Sequence, residues 1–133
     1  MSFADKVIEN QRILKKCKDV SAFNVGASRA YYCAFIDIKR YLISKGYDYN
    51  QFLGDIGKTG ERVFSHGTVK KALFQCLLEH GNILSNVSQL NVLDNLYWKR
   101  RTADYEDRGI TSTQFDDSIR ELGLIESVLG AAK

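Results

Sequence analysis

The residues most able to do chemistry in this chain are gathered in one stretch, YWKRRTADYEDRG, residues 97–109. Leu90, Leu93, Tyr97, Arg100 and Asp104 step by three, four, three and four. That spacing places Arg100 and Asp104 on the helical face begun by apolar residues. The two are one turn apart, so their side chains can pair. A charge directed at a core is costly unless it is paired. The spacing therefore predicts an Arg100–Asp104 ion pair, mostly withdrawn from solvent. An adjacent face carries Asp94, Trp98, Arg101 and Tyr105. Arginine beside aromatic rings suits stacking on bases or on another protein. The plain structural alternative is a half-buried ion pair that only fixes helix register.

Other strings are weaker. His66, in FSHGTVKK, sits at the expected start of a helix. There it can cap or pack, or meet a phosphate near the helix N-terminus. His80 falls in a last helical turn, where positive charge suits the dipole. GDIGKTGE has Phe52 where a phosphate loop needs its first glycine, and no strand precedes it; it reads as a loop. Cys17, Cys33 and Cys76 form no CxxC pair, and each falls on or beside an apolar helical stripe. They read as small reduced core residues, and no metal set or cofactor motif is visible.

The elements that must position these residues follow from composition and period. The chain has 133 residues, 44% of them hydrophobic, and no proline. These values predict one domain (1–133) built of long uninterrupted helices. No apolar run is long enough to span a membrane. The N-terminus lacks the order of a signal peptide, so the expected location is the cytoplasm. The net charge of +3 permits nucleic-acid binding without arguing for it.

Ser2 and Asp5 form a capping-box pattern, followed by Phe3, Val7, Leu14 and Cys17 at helical spacing. A second helix is predicted from near Val25 to Lys45, with Ala27, Tyr31, Ala34, Ile38 and Tyr41 as its seam and Gly46 as its stop. Residues 47–64 read as a long loop. A third helix runs from about Gly67 to His80 on Val69, Ala72, Leu73, Cys76 and Leu77. A fourth runs from about Val87 to Glu106. Thr111 and Gln114 cap a fifth, whose stripe is Phe115, Ile119, Leu122 and Ile125. The predicted architecture is an all-α bundle of four to five helices running up and down.

Three segments in order resemble the HEPN superfamily of small prokaryotic helical domains. SRAYYCAFIDIKRYLISKG (28–46) is similar to its second-helix pattern, FSHGTVKKALF to the start of its third helix, and RRTADYED to an Arg-x-x-Ala-Asp-Tyr signature in its fourth. The resemblance implies a HEPN-like up-down bundle, a homodimer, and work in toxin–antitoxin, phage-defence or stress systems. It also implies a nucleotidyltransferase-like or antitoxin partner. Active members are metal-independent ribonucleases that present an Arg and a His four to six residues later across a dimer cleft. Carried over by position, the resemblance assigns Arg100, Asp104, Tyr105 and His66 to a catalytic group. It makes Arg29 and Tyr32, at polar positions of the second helix, substrate contacts, and Arg101 and Trp98 of the arginine-and-aromatic face are expected to join them.

One departure stands out. Four to six residues beyond Arg100 or Arg101 there is no histidine. Metal-free RNA cleavage needs a base near neutral pKa, and arginine cannot serve. The expectation is thus a HEPN-like protein that acts on or binds RNA. The alternative is a catalytically inactive HEPN module that binds a protein or nucleotide partner, as an antitoxin or regulatory subunit does.

Overall fold

The computed structural model describes residues 2–19, 21–46, 66–79, 91–106 and 108–131. Its helices are α1 (Phe3–Asp19), α2 (Phe23–Ser44), α3 (His66–Glu79), α4 (Asn91–Tyr105) and α5 (Ser112–Ala131). The predicted loop at 47–64, His80, the Val87 start of the fourth helix and Leu90 lie outside the described residues, as does the side chain of Phe3.

Local chemistry sets the helix starts. Ser2 N–H donates to Asp5 Oδ2 at 3.1 Å, and Asp5 N–H donates to Ser2 Oγ at 3.1 Å. The Ser2 hydroxyl, donating to Asp5 Oδ2 at 2.8 Å, and then the Ser2 N–H hold the Asp5 carboxyl below its ordinary value. Thr111 and Gln114 repeat the reciprocal pattern at α5, at 2.9 and 3.1 Å. Both capping boxes satisfy backbone donors that the first turn leaves open. α2 starts two residues before the expected Val25, because Ala22 C=O already accepts Gly26 N–H at 3.0 Å. It ends at Ser44, and Gly46 just beyond has a φ of +70° that suits glycine and an N–H that returns to Ile43 C=O.

α2 is the central element and packs against α1, α3, α4 and α5, while α4 also packs against α5. Short connections join α1 to α2 and α4 to α5, so each pair runs antiparallel. The all-α bundle is as expected. One core cluster joins Val7, Leu14 and Cys17 of α1 to the whole predicted α2 seam and the whole predicted α3 stripe. Gly26 lets α5 approach closely. A Cβ there would lie 2.1 Å from Cε2 of Phe115, whose ring also meets Phe23 at 5.6 Å.

Two stripes need correction. In α5, Ile119 is 38% exposed, and the buried positions after Phe115 are Ser118, Glu121, Leu122, Ile125, Val128 and Leu129. Ser118 tolerates burial because its hydroxyl donates to Gln114 C=O at 3.2 Å. In α4 the buried residues are Leu93, Leu96 and Thr102, and Tyr97, Arg100 and Asp104 lie on the flank of that face. The reason is that α4 is wedged between two neighbours: Lys99 turns toward Glu121 of α5, while Arg100 and Asp104 turn over Tyr32 and Ser28 of α2.

Candidate functional site

Of the predicted site residues on α3 and α4, His66, Arg100 and Asp104 meet side chains of α2, while Arg101, Trp98 and Tyr105 touch other residues of α4. Arg100 Nε lies 3.1 Å from Asp104 Oδ2. The Nε is buried and makes no well-angled hydrogen bond, so the contact is a charge pair. Arg100 Nη2 donates to Tyr32 Oη at 2.7 Å and to Tyr105 Oη at 3.4 Å. Asp104 Oδ2 also accepts from Ser28 Oγ at 3.1 Å. Burial works against the Arg100 charge, but Tyr32, Tyr105 and Asp104 outweigh it and strengthen the cation. The Arg100 side chain keeps 18% of its exposure and that of Asp104 keeps 32%. The pair therefore forms as expected, with Arg100 mostly withdrawn. Asp104 is a correction: it stays at the rim.

A second network lies one to two turns back along α4. His66, the first residue of α3, places Nε2 2.7 Å from Asp94 Oδ1 and Nδ1 3.2 Å from Tyr31 Oη. Since a carboxylate only accepts, Nε2 carries a proton. In the neutral ring Nδ1 then accepts the Tyr31 hydroxyl. The imidazole stacks on Tyr97, with centroids 4.1 Å apart and planes 5° from parallel. Lys70, one turn along α3, donates to Asp94 Oδ2 at 2.5 Å. Burial raises the Asp94 pKa, but hydrogen bonds from Lys70 and His66 prevail and hold the carboxyl below its ordinary value. Burial pushes the Tyr31 phenol well above its ordinary range.

The two networks adjoin through neighbouring tyrosines. Tyr31 and Tyr32 meet edge to face at 5.7 Å. Tyr31 also contacts Tyr97 at 5.6 Å, and the Arg100 charge bears on its hydroxyl. The order in space is Asp94, His66, Tyr31, Tyr32, Arg100, Asp104. Arg101 donates to Tyr97 Oη at 3.3 Å from the solvent side. Trp98 and Tyr105 are 61% and 68% exposed. Arg29 is set apart: it is exposed, and its charge bears on the Cys17 thiol of α1.

This arrangement can hold an anion beside aromatic faces. Arg100 supplies a fixed cation, Arg101 an exposed one, and Tyr32, Tyr105 and Trp98 supply rings. It is less suited to proton abstraction, because both nitrogens of His66 are engaged within the protein. Sequence reasoning missed Ser28, Tyr31 and Lys70. Lys70 was legible in principle, one turn from His66 on the same helix face. Tyr31 was assigned only to the apolar seam; its ring is there, and its hydroxyl reaches His66.

The three cysteines are buried, as expected of core residues. Cys33 is the most perturbed: burial, then the Asp37 and Glu126 carboxylates, push its thiol up to about 12.

Fold and site define an all-α bundle with a polar, tyrosine-rich surface where α2, α3 and α4 meet. No protein-family model and no curated protein matches the sequence. No described helix is long and apolar enough to cross a membrane.

Proposed function

We propose that this chain is a HEPN-like module that binds single-stranded RNA, working as a homodimer in a prokaryotic toxin–antitoxin, phage-defence or stress system. A nucleotidyltransferase-like or antitoxin protein is the partner that reading implies. The observation that carries it is the group of exposed rings around two arginines. Trp98 and Tyr105 stand out from α4, with Arg101 between them in sequence and Arg100 held by Tyr32 and Tyr105 beside them. Unpaired bases stack on such rings, and guanidinium groups meet the phosphates. The engagement of His66 by Asp94 and Tyr31 favours recognition over cleavage. A free imidazole nitrogen at the RNA would require the Tyr31 contact to open.

The test is fluorescence anisotropy with mixed-sequence RNA at low and moderate salt. Wild type should bind, with affinity falling steeply as salt rises. An Arg100→Ala, Arg101→Ala double variant should bind more weakly with a shallower salt slope. Equal, weak binding by both proteins would remove the RNA reading and put the catalytically inactive partner-binding module first.

A further inference from the structure

On a different seam, between α2 and α5, the fold brings one thiol and two carboxylates together. Cys33 and Asp37 lie one turn apart on α2, and Glu126 reaches them from α5. One ligand atom from each, a sulfur and two oxygens, lies within 4.8 Å of the others. Cys33 is wholly buried. Two carboxylates this close beside a buried thiol repel one another unless a proton or a cation sits among them.

A second observation points the same way. Glu126 Oε1 is shut off from solvent and accepts no hydrogen bond. A buried carboxylate oxygen without a donor is costly, and a cation is one of the few groups that can compensate it. Asp37 has an engagement of its own elsewhere. Beside the cluster opens a cavity of about 310 Å³, whose walls include Gln11, Asp37, Arg40, Ser44 and Glu126. It offers an ion a way in and room for a water ligand.

We propose that Cys33, Asp37 and Glu126 bind a divalent transition-metal ion, zinc above all. The donor set selects the ion. Thiolate sulfur suits zinc at roughly 2.3 Å and carboxylate oxygen at roughly 2.0–2.2 Å, and three atoms already this close need only small side-chain rotations to reach a tetrahedral site. Magnesium and calcium take oxygen ligands and discriminate against sulfur. Binding releases the thiol proton to solvent, and the thiolate takes the ion in its place. The fourth position faces the cavity and takes water. The ion ties α2 to α5, so it stabilises the fold. The competing arrangement is neutralisation of the carboxylates by the Arg40 guanidinium at the cavity wall, with no ion.

The experiment titrates the chelator-treated full chain with Co²⁺ as a spectroscopic stand-in for zinc. The expected result is a near-ultraviolet thiolate-to-cobalt absorption that saturates and is bleached by Zn²⁺, together with a higher melting temperature in Zn²⁺. Cys33→Ser removes the band, and Cys17→Ser keeps it. Glu126→Gln weakens binding by at least about tenfold. No band in wild type overturns the proposal, as does a band that survives both Cys33→Ser and Glu126→Gln. If Cys33→Ser does not fold, Glu126→Gln decides, since this half-buried side chain leaves the core volume unchanged.

Discussion

Lys99 of α4 and Glu121 of α5 form an ion pair inside the bundle, with Glu121 only 2% exposed. Sequence spacing points to Arg100 as a charge withdrawn on α4, and Lys99 is withdrawn equally; what differs is the partner, since Glu121 is buried while Asp104 stays at the rim. The distinction matters for energetics. A buried pair leaves a costly lone charge when one partner is removed, whereas a rim pair is screened by water.

Glu121→Ala should therefore destabilise the protein by about 3 kcal/mol or more. Replacing both partners by apolar residues of similar size, Lys99→Met with Glu121→Leu, should restore most of that loss. Chemical denaturation of the three proteins checks both statements.

Asp104→Ala should cost less than about 1 kcal/mol, because the Arg100–Asp104 pair sits at the rim. Tyr32 and Tyr105 still hold the guanidinium by its Nη2 group. A loss above about 2 kcal/mol in the same denaturation assay would mean that the carboxylate carries structural weight its exposure does not indicate.

Acid should weaken the α3–α4 contact through Asp94. Its carboxyl is held below the ordinary value in the folded chain. The unfolded chain therefore binds that proton more readily, and the contribution is complete above the unfolded pKa. It is lost as pH falls below about 4. The stability difference between wild type and Asp94→Asn should shrink across that range and hold steady between about pH 5 and pH 6. Thermal melts at stepped pH read it directly.

Gly26→Ala should destabilise by about 1–3 kcal/mol, since the added methyl meets the Phe115 ring. Pairing it with Phe115→Leu should recover part of the loss if the clash is the cause. An unchanged melting temperature in the single variant would show that α5 can shift away freely.

Trp98→Ala and Tyr105→Ala should each weaken RNA binding by about tenfold with little change in stability, because both rings are exposed. Anisotropy and melting curves on the same samples separate the two effects. Unaltered RNA affinity in both variants would leave the rings without a role in recognition.

Within single helices the sequence by itself decided a great deal. The Ser2–Asp5 and Thr111–Gln114 capping boxes, the seam of α2, the stripe of α3 and the Arg100–Asp104 pairing all depend on neighbours three or four residues apart. Helix geometry alone brings such neighbours together. What lay beyond the sequence was which way each helix turns once it is packed. Asp94 meets His66 28 positions away, Ser28 meets Asp104 76 positions away, and Glu121 reaches Lys99 across the α4–α5 seam. Each of these contacts depends on the rotation and separation of two helices, which the packed side chains settle jointly. The close fit of Phe115 against the bare backbone of Gly26 is one instance. A rotation of α4 by a fraction of a turn is invisible in its period, yet it moves Lys99 into the seam and leaves Asp104 at the rim, because the bundle buries whichever face lets its apolar neighbours close most tightly.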